Sequence, residues 1–161
     1  MAHSPLSASR NHPGVIAPPP LIFAGFLNLG VVADSYTSME IGFSPVLRQV
    51  AGIGLLAAGM VFLALALGLF RRARTRPEPW QPTTAIVSTG IYAVTRNPMY
   101  VGMALAYAGL ALLADSLLAL LLLPLVLALI HFGVIRREER YLQAKFGVEY
   151  RRYAARVRRW L

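Results

Sequence analysis

From Gln49 to Phe70 the chain carries no charged residue. A run of about 20 apolar residues is the length at which an α-helix crosses the hydrocarbon core of a bilayer. Inside that core only a helix or a closed barrel satisfies its own backbone. The run therefore predicts a membrane-spanning helix, and lipid becomes the solvent in which the rest is read. Three more apolar runs accompany it: Leu21 to Ala33, Pro98 to Leu113, and Leu117 to Ile135. The first is short, and either borrows from Val15 to Pro20 or sits in a locally thinned bilayer. Only 14% of the residues are charged, against about 25% in soluble domains. The predicted fold class is all-α integral membrane, with about four transmembrane helices and a C-terminal amphipathic interfacial helix.

Residues 1–20 are polar and proline-rich and predict a mobile tail; 21–161 read as a single membrane domain. Asp34 to Ser44 predicts a polar turn region. Residues 71–97 open with Arg71, Arg72, Arg74 and Arg76, continue through Pro77, Pro79 and Pro82, and turn mildly β-branched from Thr84 to Thr89. That composition predicts an ordered loop outside the hydrocarbon. Asn97 and Pro98 read as an N-cap followed by proline at the first helical position. Asp115 and Ser116 predict a tight turn, and Pro124 a kink. Beyond Arg136, the residues Leu142, Phe146, Tyr150, Tyr153, Val157 and Trp160 recur every third or fourth position among arginines. This predicts an amphipathic helix over 136–161 lying at the interface and broken near Gly147.

The net charge of +9 would suggest nucleic acid in a soluble protein. Here the arginines border apolar runs, so they read as topology signals and contacts to anionic lipid headgroups, with no nucleic-acid partner. With four spans, Arg71 to Arg76, Arg96 and the basic C-terminal segment fall on one side, and Asp34, Glu40 and Asp115 on the other. The positive-inside rule then places both termini and the long loop in the cytoplasm. A single lysine in an Arg-, Ala- and Leu-rich chain suits a prokaryotic cytoplasmic membrane. The chain has no cysteine, which excludes disulfides and thiolate metal sites.

On the cytoplasmic side, Tyr92, Arg96, Asn97, Tyr100, His131, Glu138 and Glu139 are the residues able to do specific work. Arg96 to Tyr100 reads structurally as a helix start at a membrane boundary. Functionally, its exposed N–H groups and Arg96 suit an anion such as a carboxylate. Glu138 and Glu139 read structurally as solvated carboxylates paired with nearby arginines. Neighbouring helical residues diverge by about 100°. One of the two carboxylates can therefore face a bound cation or ribose hydroxyls while the other pairs with Arg. His131, alone in an apolar run, reads as a packing or interfacial residue, and no second ligand at metal spacing accompanies it. No Ser-His-Asp pattern, P-loop or dinucleotide fingerprint is present. On residues alone, this is a membrane protein with a polar cytoplasmic site.

An ordered set of short elements then runs through the second half: Gly90, Ile91, Tyr92; Arg96 to Gly102; Glu138, Glu139, Arg140, Tyr141, Leu142; Phe146, Gly147, Val148, Glu149, Tyr150, then Tyr153, Arg156 and Val157. This set resembles the isoprenylcysteine carboxyl methyltransferase and phospholipid methyltransferase families over about residues 83–161. The first two apolar runs match only in character. The resemblance implies an S-adenosylmethionine-dependent methyltransferase with its cofactor on the cytosolic side. It assigns cofactor contacts to Thr84, Ala85, Ile86, Val87, Tyr92, Asn97, Pro98, Met99, Tyr100 and Glu138, and aligns Arg96 and Arg156 with the family's arginines. Members acting on prenylated proteins carry His where Asn97 stands, and a substrate-binding Arg where Val134 stands. Arg136 is the nearest replacement for the latter.

Methyl transfer from a sulfonium requires alignment and exclusion of water more than activation. A carboxylate acceptor such as an isoprenylcysteine needs no base and would be oriented by Arg96 or Arg156. A lipid amine or thiol would need one, from Glu139 or His131. The expected acceptor is thus lipophilic or small. Two other readings stay open: a non-catalytic small membrane protein, and a reductase whose NADPH phosphates are held by Arg71 to Arg76. Gly102, Ala106 and Gly109 would either pack against Gly52 and Gly59 or leave a lateral opening between helices.

Overall fold

The computed structural model describes residues 13–37, 41–75 and 84–161. Glu40, Arg76, Pro77, Pro79, Pro82 and the first twelve residues of the expected tail lie outside the described residues. Among the described residues there are six α-helices: α1 (Pro19–Thr37), α2 (Pro45–Arg72), α3 (Pro98–Leu113), α4 (Leu117–Ile130), α5 (Arg136–Phe146) and α6 (Val148–Arg156). A 3₁₀ turn (Gly90–Ala93) precedes α3, and a π-turn (His131–Ile135) joins α4 to α5 without a break.

Two helical rods, Pro45–Arg72 and Leu117–Phe146, are long and apolar enough to cross a membrane. The apolar part of the second ends at Ile135, where Arg136 and Arg137 begin α5. On α2 the side chains of Val46, Leu47, Val50, Ile53, Met60, Val61 and Leu65 are exposed. An exposed apolar face of that extent would aggregate in water and is matched by lipid.

The four long helices pack as α2 along α3 and α1 along α4, with α3 also touching α1 and α4. Glycine makes the first contact possible. A Cβ on Gly59 would stand 2.6 Å from the Gly102 carbonyl oxygen and 2.7 Å from the Ala106 nitrogen, and one on Gly109 would stand 2.6 Å from the Leu56 nitrogen. Backbone therefore meets backbone, and the tight-packing alternative for Gly52, Gly59, Gly102, Ala106 and Gly109 is the one the chain adopts. Between α1, α3 and α4 the core gathers Phe23, Tyr107, Ala111, Ala119, Val126 and Ile130. The Tyr107 phenol there is satisfied, since it donates to the Ala119 carbonyl at 2.9 Å.

Several boundaries differ from expectation, each for a local reason. Helix α1 continues past Ala33 to Thr37, so Asp34 is helical. Its carboxylate accepts from the Ser116 hydroxyl and from the Leu118 N–H at 3.0 Å, which satisfies the start of α4. Helix α2 begins at Pro45, capped by Ser44, whose hydroxyl accepts from the Leu47 N–H at 3.3 Å. Arg48 enters its first turn because Asp115 pairs with it at 2.5 Å. The expected tight turn lies at Asp115, which adopts φ 54°. At Asn97 the proline at the first helical position is as expected, but the side chain does not cap. It donates instead to the Arg159 carbonyl at 2.8 Å. The break at Gly147, φ 54°, separates α5 from α6. Helix does not run to 161: it stops at Arg156, and Arg158 forms a parallel bridge with Thr95. Of the N-terminal segment, Gly14 accepts from Arg137 at 2.7 Å, and the Ile16 side chain fills the space a Cβ on Gly133 would need.

Gly59→Ala forces α2 and α3 apart and should cost about 1–3 kcal/mol. Gly54→Ala, where a Cβ meets nothing within 4 Å, should be neutral or slightly stabilising. Thermal unfolding of both variants in one detergent checks the contrast.

Candidate functional site

Past the apolar ends of the long helices, the segment 85–100 and the helices α5 and α6 face one another across a cleft. It holds about 110 Å³ of enclosed space and opens to solvent. One wall is Ala85, Ile86, Val87, Tyr92, Arg96, Asn97, Met99 and Tyr100. The other is Glu138, Glu139, Tyr141, Leu142, Tyr150 and Tyr153, with Phe70 and Pro13 at the margins.

Local structure holds each wall in place. Gly90 adopts φ 59°, a left-handed conformation open to glycine. A Cβ there would press against Leu69 at 2.9 Å. The chain can thus turn tightly against α2 and bring Tyr92 under cover. Tyr92 packs edge-on to Phe70, with ring centres 5.5 Å apart, and its carbonyl accepts from the Tyr153 hydroxyl at 2.8 Å. That bond ties α6 to the 3₁₀ turn. Helix α3 then starts at the cleft floor, which places Tyr100 on its first turn.

The Tyr100 hydroxyl donates to Glu138 Oε1 at 2.7 Å. Glu138 lies in α5, beyond the apolar span. Burial pushes its carboxyl up to about 7, opposed by the Tyr100 hydrogen bond and reinforced by the neighbouring Glu139 charge. Glu139, on the same wall, is held by arginines. Arg159 holds both its oxygens, Nε to Oε1 and Nη2 to Oε2, at 2.8 Å each, and Arg96 Nη1 adds a contact to Oε1 at 3.2 Å. The divergence of adjacent carboxylates expected on a helix is realised in their partners: one takes the Tyr100 hydroxyl, the other an arginine pair. Arg96 Nε is buried without a hydrogen-bond partner. Burial holds the hydroxyls of Tyr92, Tyr150 and Tyr153 above the ordinary phenol range, so all three are neutral.

Ala85, Ile86, Val87, Tyr92, Arg96, Asn97, Met99, Tyr100, Glu138 and Glu139 thus come together. Five other residues singled out in the sequence lie apart from the cleft lining. Thr84 is exposed, and its N–H donates to the Thr75 hydroxyl at 3.0 Å. Pro98 is fully buried inside the start of α3. Arg156 is exposed and bonds back to the Arg152 carbonyl. His131 lies in the π-turn, with Trp160 stacked beside it and donating to Nδ1 at 3.4 Å. Arg136 is exposed over the Phe132 ring. Arg71, Arg72 and Arg74 are exposed and none lines the cleft. Among the described residues no group of three or more His, Asp and Glu side chains could hold a metal. Sequence reasoning missed Pro13, Phe70, Tyr141, Leu142, Tyr150 and Tyr153 of the lining, and Arg159 behind it. Arg159 sits among four other arginines over 151–158 with nothing local to distinguish it, the tyrosines and Leu142 read as parts of an amphipathic pattern, and Pro13 and Phe70 are far away in sequence.

The sequence model of the phospholipid methyltransferase family matches residues 47–149. That match extends the resemblance upstream into α2, and stops just before Tyr150. Two curated proteins are similar over shorter stretches. The cobalt-zinc-cadmium resistance protein CzcN of Cupriavidus metallidurans is 38% identical over 72 residues, covering 45% of this chain and 33% of that protein. An uncharacterized protein of Haemophilus influenzae is 43% identical over 63 residues, covering 39% of this chain and 100% of that protein. The chain therefore spans about a third of the length of the first of these relatives. No solved structure matches it.

Tyr100→Phe removes the one neighbour that favours ionised Glu138, so the carboxyl should stay protonated to higher pH. The protonated-carboxyl stretch in the infrared spectrum should persist above neutral pH in this variant, and be missing when Glu138→Gln is added.

Proposed function

The chain belongs to the phospholipid methyltransferase family, and from that premise we propose that it is a membrane methyltransferase whose cleft binds S-adenosylmethionine. The observation that carries the reading is convergence. Most of the cofactor contacts implied by sequence resemblance come from two segments some forty residues apart, and they line one cleft joined by the Tyr100–Glu138 hydrogen bond.

The residues present fit the cofactor's chemistry. Ala85, Ile86, Val87 and Leu142 offer an apolar surface to an adenine ring. The Glu138 carboxylate suits ribose hydroxyls or a cation, and the tyrosine faces suit a sulfonium. The cofactor, when bound, supplies an already activated methyl group. The protein's part is positioning and exclusion of water. Tyr100 fixes the Glu138 carboxylate, and Tyr153 fixes the Tyr92 turn. Glu139, with both oxygens engaged by arginine, is neutralised and acts as a support in preference to a base. His131 is outside the cleft lining. Among the described residues neither base candidate is free, and Glu138 is assigned to the cofactor, so an acceptor already ionised at neutral pH is favoured, a carboxylate such as an isoprenylcysteine before a lipid amine or thiol. Arg96 is the cation placed to orient it. Arg136 and Arg156 stand outside the cleft and are assigned to anionic headgroups.

We place four helices, α1 to α4, across a prokaryotic cytoplasmic membrane, with α5 and α6 at the cytosolic interface. Arg71, Arg72, Arg74 and the arginines of 136–159 then lie on the cytosolic side, and Asp34 and Asp115 on the far side. In that arrangement a charged cofactor enters from water and a lipophilic acceptor from the bilayer.

Calorimetric titration with S-adenosylhomocysteine should give saturable binding to the purified protein, and NADPH none. Glu138→Gln should weaken it roughly tenfold or more. Because only the ionised carboxylate accepts hydrogen bonds on both oxygens, affinity should rise with pH. With the carboxyl near 7, the gain between pH 6 and 8 is about tenfold, and Glu138→Gln should abolish that slope. For the topology, Arg74→Cys and Tyr36→Cys, both at exposed positions, should react with impermeant reagents from opposite sides; labelling from one side would overturn it.

A further inference from the structure

The 157–160 segment lies outside the family match, yet it is bonded into the cleft wall at every residue from Thr95 to Asn97. Thr95 bridges Arg158, and the Arg96 N–H donates to the Arg158 carbonyl at 2.9 Å. The Arg159 carbonyl accepts from the Thr95 hydroxyl at 3.2 Å and from Asn97 Nδ2 at 2.8 Å. The Arg159 side chain then reaches the other wall, gripping both oxygens of Glu139 at 2.8 Å. Trp160 beyond it packs beside His131.

We infer that Arg159 is a positioning residue for the cleft, joining its two walls and setting where Arg96 points. The reasoning rests on the functional reading above. Glu139 is shared between two guanidinium groups. Arg159 takes the planar, two-bond geometry in which a guanidinium pairs best with a carboxylate. Arg96 is left with one contact to Glu139, at 3.2 Å, beside a side-chain hydrogen bond with Tyr150. Its Nε stays unpaired while the residue lines the cleft. If Arg159 were absent, Glu139 would be free to take Arg96 in the two-bond geometry instead. The guanidinium would swing onto α5, and the cleft would lose both its shape and its orienting cation. Arg159 itself is not part of the cleft lining, so its effect must pass through Glu139. The backbone bonds of 158 and 159 do not depend on the side chain, so Arg159→Gln removes the ion pair while leaving the segment docked.

The test is a double-substitution cycle on the full chain, with S-adenosylhomocysteine as the probe and thermal unfolding recorded alongside. Arg159→Gln should weaken binding roughly tenfold, the scale on which loss of a supporting partner acts, with little change in the unfolding midpoint. Arg159→Lys, which keeps the charge but not the fork, should fall between it and the unsubstituted protein. In a Glu139→Gln background Arg159→Gln should add less than twofold, because the relay is already cut. Arg151→Gln, at an exposed arginine of the preceding helix α6, should bind as the unsubstituted protein does. Equal weakening by Arg159→Gln in both backgrounds, or no weakening at all, would overturn the inference. If Arg159→Gln does not fold, Arg159→Lys runs the same cycle with the same criteria. Failure of the unsubstituted protein to bind the probe would instead bring down the functional reading, and this inference with it.

Discussion

The contact of α2 with α3 at Gly52, Gly59, Gly102 and Gly109 is the constraint from which the site follows. Apolar side chains give helices little reason to associate in lipid, since the lipid tails are equally apolar; close backbone approach restores dispersion contacts that lipid cannot supply. Once α2 and α3 lie backbone to backbone, the end of α2 at Arg72 and the start of α3 at Pro98 are fixed at neighbouring depths. Residues 84–97 return over the bundle end to reach that start. Gly90 pressed on Leu69 and Tyr92 on Phe70 anchor that return. The first turn of α3, with Tyr100, is delivered to the floor of the cleft.

The second wall depends on a continuous rod. Because the π-turn at His131–Ile135 carries α4 into α5 without interruption, Glu138 and Glu139 are positioned by the same helix that packs against α1 and α3. Their division of labour follows from helix geometry and desolvation together. Glu138 faces the covered side, has Tyr100 as its hydrogen-bond donor, and titrates near neutrality. Glu139, turned about 100° away, is held by Arg96 and Arg159. A carboxyl poised to ionise and a carboxylate locked in place lie side by side.

Elements whose signal is local in the chain were legible in the sequence. The uncharged run of α2, the proline start of α3, the glycine break at 147 and the glycine spacing on α2 and α3 each express a rule acting within a few residues. The match over residues 47–149 bears out the family resemblance, and ten of the fifteen site candidates line the cleft. What the sequence hid was long-range polar pairing. Asp34 reads as a turn residue until Ser116 and Leu118 are brought to it. Asn97 reads as a cap until the Arg159 carbonyl claims its amide. The amphipathic pattern through Val157 and Trp160 reads as more helix until Thr95 offers a bridge. In each case a partner sixty or more residues away outbids the local preference, and no window on the sequence contains both members.

The most direct test of the account is an experimental structure of the protein with S-adenosylhomocysteine bound. The account predicts the ligand in the cleft between 85–100 and α5–α6, with Glu138 in hydrogen-bonding contact with it and Glu139 still paired to Arg96 and Arg159. A ligand seated elsewhere, or a cleft that stays empty at saturating concentration, would contradict it.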